Sequence, residues 1–313
     1  AVVVIGSAPL AVPFDQVRFE NIEFVDFSPT VGSTDIGAET PDRQSSPPQP
    51  FSPQRPLIEL TGSECSFSNC TFRHESTTEE SRGPVAIVWR FPRDRDTRHL
   101  PSGRLFLSDC RFHHLAGGLL LQTRGTVSIF CDNMLYRNGS GPFIDLAGPL
   151  QSDESLSVIF QSTTIRNSGS LVRVPMPEQT PGLHNTGSVF IRADRSVFAP
   201  AAGTPLIVLP RPYTEISPTA NTSPAPATER FPMQWSGTDS IVTPDTPMLA
   251  REKITGTPEI IDDSAIAVEG LVRGTVRFAP SETVVNVGGP LNDENVIDWQ
   301  APLHTEDPPG YRR

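Results

Sequence analysis

Short apolar runs alternate with polar breaks along this chain, and two kinds of run recur. The first is a glycine, up to two spacers and an apolar stretch: Gly83-Pro84-Val85-Ala86-Ile87-Val88, Gly118-Leu119-Leu120-Leu121 and Gly141-Pro142-Phe143-Ile144-Asp145-Leu146. It continues as Gly169-Ser170-Leu171-Val172-Arg173-Val174 and Gly203-Thr204-Pro205-Leu206-Ile207-Val208-Leu209. The glycines are 35, 23, 28 and 34 residues apart, the spacing of a stacked-repeat architecture in which no unit buries its apolar face alone.

Between these runs lies a second, ending polar, small, variable, large apolar: Phe67-Ser68-Asn69-Cys70-Thr71-Phe72, Leu107-Ser108-Asp109-Cys110-Arg111-Phe112 and Phe130-Cys131-Asp132-Asn133-Met134-Leu135. Looser copies start at Phe160 and Ile191, and Phe19-Glu20-Asn21-Ile22-Glu23-Phe24 opens the series. Runs this short, rich in Val, Ile and Phe and alternating with period 2, predict strands, and no amphipathic helix is apparent. Asn, Asp, Ser and Gly cluster where the periodicity breaks and predict turns.

Each coil would carry two or three strands. Coils stacked at the ~4.8 Å spacing of a parallel ladder make a rod about 30 Å long for six or seven coils. Phe72, Phe112, Leu135, Ile165 and Phe198 are expected to point inward, with Asn69, Asp109, Asp132 and Ser162 at the preceding turn.

On these motifs, residues 14–243 resemble the right-handed parallel β-helix, or pectin-lyase-like, proteins. More narrowly they resemble non-catalytic β-helix regions of large bacterial multidomain proteins, some with a serine/threonine kinase domain upstream. Such regions often follow the last regular coil with Trp-x-Gly-x-x-Asn; here Trp235-Ser236-Gly237-Thr238-Asp239-Ser240 places Ser240 where Asn is expected. The kinase itself is absent from this sequence, which has no Gly-rich phosphate loop, His-Arg-Asp loop or Asp-Phe-Gly. The resemblance implies an appended module, with an extracytoplasmic position in a membrane-anchored protein slightly favoured.

Lys plus Arg number 25 and Asp plus Glu 36, a formal charge of −11 that argues against nucleic-acid binding. No apolar stretch reaches membrane-spanning length, and Ala1-Val2-Val3-Val4-Ile5 is too short and uncharged for a signal peptide. The 33 prolines concentrate in low-complexity insertions at 28–55 and 210–230. The expected organisation is a β-helix over 1–243, an irregular cap over 244–300 with Trp235 and Trp299 covering the open end, and a disordered tail over 301–313. Of the cysteines, Cys70 and Cys110 occupy the same place in successive coils, Cys131 lies one position earlier in the next, and Cys65 completes the set. A buried column of free thiols is expected, against a disulfide or metal site as the alternative.

Several residues are candidates for chemistry. Asp145 and Arg173 share a place in consecutive strands, as does Glu59 further back; facing outward, they form either a ligand-gripping charged stripe or an ion pair between coils. Trp89 and Arg90, followed by Arg93, Arg95 and Arg98 with Asp94 and Asp96 interleaved, could stack on a sugar or bind an anionic chain. His113 and His114 face opposite sides of a strand end, His114 being the candidate for a groove, and His74 holds a similar place after Phe72. The hydrolases of this fold use clustered carboxylates, and Asp262-Asp263 stands here without companions.

The reading is therefore an all-β parallel β-helix acting as a non-catalytic module that binds a carbohydrate or protein, monomeric within a larger chain. No catalytic residue, metal or cofactor is assigned. The alternatives are a polysaccharide lyase or hydrolase, to which alone calcium would belong, and a structural spacer.

Overall fold

The computed structural model describes residues 1–5, 8–27, 55–75, 83–90, 102–122, 125–148, 150–151, 153–175, 187–209, 233–253, 258–261, 268–278, 296–304 and 309–311. The insertions at 28–54 and 210–232, and with them Arg93, Arg95, Arg98, Asp262 and Asp263, lie outside the described residues.

The described chain is all strand and turn, and all but its last two strands fall into three mainly parallel sheets visited in rotation. Arg111–His113 lies in the first sheet, Gly117–Leu121 in the second and Thr126–Asp132 in the third. Leu135–Arg137 then returns to the first, parallel to Arg111–His113. Strands paired in parallel are thus three apart in sequence throughout, an arrangement compatible with a β-helix-like fold.

The third sheet has seven strands, from Gln16–Glu20 to Met233–Thr238, and the first and second have nine each. Val2–Ile5 and Leu10–Val12 open the first and second sheets ahead of the region the motifs mark, while Leu249–Arg251 and Leu271–Arg273 extend them beyond it. Glu259–Ile261 then closes the second sheet antiparallel to Leu249–Arg251.

Local chemistry explains the corners. Between the third and first sheets the turn is one left-handed residue: Asn21, Asn69, Asp109, Asn133, Ser162, Arg195 and Asp239 all have φ between 48° and 56°. Asn and Asp tolerate that region better than other residues with a β-carbon. Each corner N–H from Asn21 to Arg195 bonds a carbonyl in the next strand of the third sheet, as Asn69 does to Ser108 at 2.9 Å. Asn side chains add a second ladder, Asn69 Nδ2 donating to Asn21 Oδ1 and Asn133 Nδ2 to Asp109 Oδ1.

The residue after each turn points inward, giving the column Ile22, Cys70, Cys110, Met134, Thr163, Ser196, Ser240. Its polar end is satisfied internally: Ser196 and Ser240 Oγ accept from the Thr163 and Ser196 amides and donate to the carbonyls of Asp194 and Ala193.

The recurrent glycines sit where the chain enters the second sheet. A β-carbon on Gly141 would stand 2.0 Å from the Ala116 carbonyl oxygen, and one on Gly169 would stand 2.4 Å from Gly141 backbone, so successive strands meet there at backbone contact. Gly203 differs, being at φ +74°.

The core is a ladder of large side chains. Phe24, Phe72, Phe112, Tyr136, Ile165 and Phe198 are in register on the first sheet's inner face, and each is fully buried. The Phe72 and Phe112 rings stack at 4.6 Å. Each such side chain contributes about 1.5–3 kcal/mol by burial.

Two expectations about register fail together. Tyr136, not Leu135, stands with Phe112, and Asn133, not Asp132, makes the left-handed turn. Cys131 consequently pairs with Leu107 and Phe160 in the third sheet, while Met134 occupies the column of Cys70 and Cys110. The third motif copy carries a small inward residue, Cys131, beside a large outward one, Phe130, so size misplaces its register by one.

Beyond the three sheets the described residues form a separate two-stranded ladder. Thr275–Phe278 and Val296–Gln300 pair antiparallel, with Trp299 opposite Val276. Within the tail over 301–313, the described residues Pro309, Gly310 and Tyr311 are buried, seated on the first sheet's outer face. The Tyr311 amide donates to Thr164 Oγ1 at 2.8 Å, and its hydroxyl accepts from Arg111 Nε at 2.7 Å. Thr164 and Arg111 flank Leu135 in the register, so Tyr311 spans over it and the outward Leu135 is buried. Trp235 is 2% exposed, edge-on to Phe198 and bridged to Val268.

Candidate functional site

The second sheet places the anticipated charged residues on its outer face. Ile144, Leu146, Val172 and Val174 are buried, and Asp145 and Arg173, directly in register between them, point out. Arg173 Nε and Nη2 donate to the two Asp145 oxygens at 2.9 and 2.7 Å, a bidentate pair, and Glu252 lies 4.0 Å from the same guanidinium. Burial pushes the Asp145 carboxyl above its usual range, and the Arg173 hydrogen bonds and charge pull it back only in part. Burial opposes the Arg173 charge too, but the Asp145 hydrogen bonds and charge, with Glu252, outweigh it and hold the guanidinium above its ordinary value. Arg90, further along the same face, pairs with Glu59 and donates to Gln122 Oε1. Val88 and Leu120 separate Glu59 from Asp145 in that outward row, and the charges present are engaged with one another.

Trp89 serves the fold instead, while His114 is exposed at a turn. Trp89 is fully buried, and its indole N–H donates to the Gly62 carbonyl at 2.8 Å, so its ring offers no face to a ligand from outside. His114 is the left-handed residue (φ 55°) ending its strand, and its N–H donates to the Arg137 carbonyl. Burial, then the charges of Arg137 and His74, lower its imidazole below the ordinary value.

His113 faces out from the first sheet yet is buried. Arg137 Nε donates to its Nδ1 at 2.7 Å, so that nitrogen carries no proton. Burial, followed by the charges of Arg137, His114, Arg111 and Arg73, holds the ring well below its ordinary pKa. His74 is inward, its Nδ1 2.7 Å from Asp26 Oδ2, both side chains nearly enclosed. Among the described residues no three His, Cys, Asp or Glu side chains are grouped to hold a metal ion.

The surface that sequence reasoning missed is the outer face of the third sheet. Phe106, Phe130 and Ile159 are directly in register on three consecutive strands, and all point outward. The Phe106 and Phe130 rings stack at 4.9 Å with planes 10° apart. Phe190, in register with Ser157 on the next strand, is 41% exposed. One flank carries Arg104, Ser128 and Ser157; the other carries Ser108, Asp132 and Gln161. Burial, then the Asp109 charge, raises the Asp132 carboxyl, with Arg195 opposing. An apolar ridge therefore crosses three strands of an otherwise polar face; Arg192 continues its row on the fourth strand, with Phe190 two residues to one side.

No family model, curated protein or solved structure matches this chain. Function is therefore to be read from the chemistry of the surface itself. The only sequence signal for the ridge was the alternation within its strands. Leu105-Phe106-Leu107 is a continuous apolar run with no readable phase, and in Val127-Ser128-Ile129-Phe130-Cys131 the phase appears only if Cys131 counts as apolar.

Proposed function

We propose that the chain is a right-handed parallel β-helix acting as a non-catalytic interaction module, and that the outer face of its third sheet receives a polypeptide partner. The right hand is the one adopted by nearly all parallel crossovers within a sheet. The ridge of Phe106, Phe130 and Ile159, with the exposed Phe190 beside it on the next strand, carries the reading, because large apolar side chains on the solvent side of several neighbouring strands mark interaction surfaces. Phe106 and Phe130 stack on each other and offer ring edges outward, which suits apolar side chains of a peptide better than the flat face of a sugar. Arg104 and Asp132 on opposite flanks favour a partner segment of mixed charge around an apolar centre.

The test is selection of a random phage-displayed peptide library on the purified chain, beside incubation with a polysaccharide panel. Enrichment of peptides with apolar anchors, lost on Phe130→Ser, supports the module. Retention of polysaccharides unaffected by that change, or release of short sugar products, overturns it in favour of a carbohydrate binder or enzyme.

A further inference from the structure

Outward side chains of the third sheet form rows that run along the stack, across the strands. The centre row is Arg18, Ser66, Phe106, Phe130, Ile159, Arg192. One flank reads Glu20, Ser68, Ser108, Asp132, Gln161, Asp194, with acidic side chains and no Lys or Arg. Glu20 and Asp194 are held by Arg18 and Arg192 of the centre row, whereas Asp132 is exposed beside Phe130 and repelled by Asp109. The other flank carries the exposed Arg104, and Phe190 three strands on.

Both the direction and the pitch of an occupant follow from this layout. A segment lying along a strand meets one ridge side chain between polar ones, as Phe130 lies between Ser128 and Asp132. A segment lying along the stack meets Phe106, Phe130 and Ile159 in succession. Parallel strands are about 4.8 Å apart, so those three rows span about 9.6 Å. Three same-face residues of an extended chain span about 13 Å and overshoot by most of one strand spacing. Residues i, i+3 and i+7 of an α-helix share one face and span about 10.5 Å, within about 1 Å of the ridge.

Building on the docking surface proposed above, we propose that its occupant is an amphipathic α-helix laid along the stacking axis, with an apolar stripe on the ridge, a basic flank over Asp132 and an acidic flank over Arg104. The stripe at i, i+3 and i+7 packs on Phe106, Phe130 and Ile159, and a side chain one turn further on reaches Phe190. The two flanks set which way the helix runs, because reversing it exchanges its sides and brings like charges together at Asp132 and Arg104. The formal charge of −11 adds a general attraction for the basic side.

The test titrates the full chain with two synthetic peptides of one composition, each about 15 residues long and therefore only marginally helical when free. One places Leu at i, i+3 and i+7 with Lys on one flank and Glu on the other; the other alternates Leu with polar residues as a strand does. Calorimetry should show the helical pattern binding at least about 10-fold tighter, and circular dichroism should show it gaining helix when bound. Its affinity should fall about 10-fold on Phe130→Ser and about 3-fold on Asp132→Asn. Ile159→Ser gives the ridge readout if Phe130→Ser folds poorly. Equal or tighter binding of the strand pattern, binding without helix gain, or no binding of either peptide overturns the helical occupant. If the strand pattern binds and is weakened by Phe130→Ser, the ridge remains the docking surface and only its occupant is wrong. Binding of either peptide unchanged by Phe130→Ser and Ile159→Ser overturns the ridge and the helix together.

Discussion

Replacing Tyr136 and Phe130 separately by alanine distinguishes the observed register from its one-residue alternative. Tyr136 is fully buried, its ring 5.3 Å from Phe143 and edge-on to Phe112, and its hydroxyl donates to the Gly141 carbonyl at 2.9 Å. Truncating a buried aromatic costs about 3–5 kcal/mol, and leaving the Gly141 carbonyl without this donor adds about 1 kcal/mol. Phe130 points to solvent, and its defined ring contact is the stack on Phe106, so its loss costs only about 0.5–1.5 kcal/mol. Urea unfolding followed by both tryptophan fluorescence and far-UV circular dichroism measures each change, two probes being needed because stacked repeats can lose cooperativity. Tyr136→Ala should lower the midpoint far more than Phe130→Ala. If Phe130→Ala is equally or more damaging, the register is shifted by one and the outward ridge does not exist.

Three further outcomes follow from the packing. His113 stays neutral in the fold while the unfolded ring titrates near its ordinary value of about 6.5; below that pH the unfolded chain binds a proton the folded chain refuses, so stability falls with pH by about 1.4 kcal/mol per unit from this group alone. Urea midpoints between about pH 7 and 5 should show that His113→Gln removes this share of the slope; an unchanged slope would refute burial of a neutral ring. Gly141→Ala should cost about 1–3 kcal/mol in thermal or urea unfolding because its β-carbon meets the Ala116 carbonyl, whereas Gly148→Ala, with nothing within 4 Å of its added carbon, should be neutral within about 0.5 kcal/mol. A double-mutant cycle on Asp145→Asn and Arg173→Gln should return a coupling of about 1–2 kcal/mol for the half-buried bidentate pair, and a coupling near zero would mean that the two side chains are independently solvated.

The recurrence of glycine units and of the polar-small-variable-apolar motif was enough to reveal parallel stacking, because close backbone approach at Gly141 and Gly169 and left-handed turns at Asn69 and Asp109 each demand particular residue types. The pairing of Asp145 with Arg173 was legible for the same reason: opposite charges at equivalent places in adjacent strands meet. Trp89 was misplaced because its strand is apolar throughout, which hides which face is inner. The ridge was hidden by Cys131, small enough to fill an inward place and polar enough to be mistaken for a turn. The seat of Tyr311 on Thr164 and Arg111 could not be read, since it is a contact between residues 147 and 200 positions apart with no repeat to announce it.

The most direct test of the account is the affinity, by isothermal titration, of a library-selected peptide for the wild-type chain, for Phe130→Ser/Phe190→Ser and for Arg90→Ala/Asp145→Asn. A loss of about 10- to 100-fold is expected for the ridge variant, corresponding to about 1.4–2.8 kcal/mol, with no change for the second-sheet variant. Undiminished binding by the ridge variant, or loss confined to the second-sheet variant, would contradict it and move the site to the charged stripe.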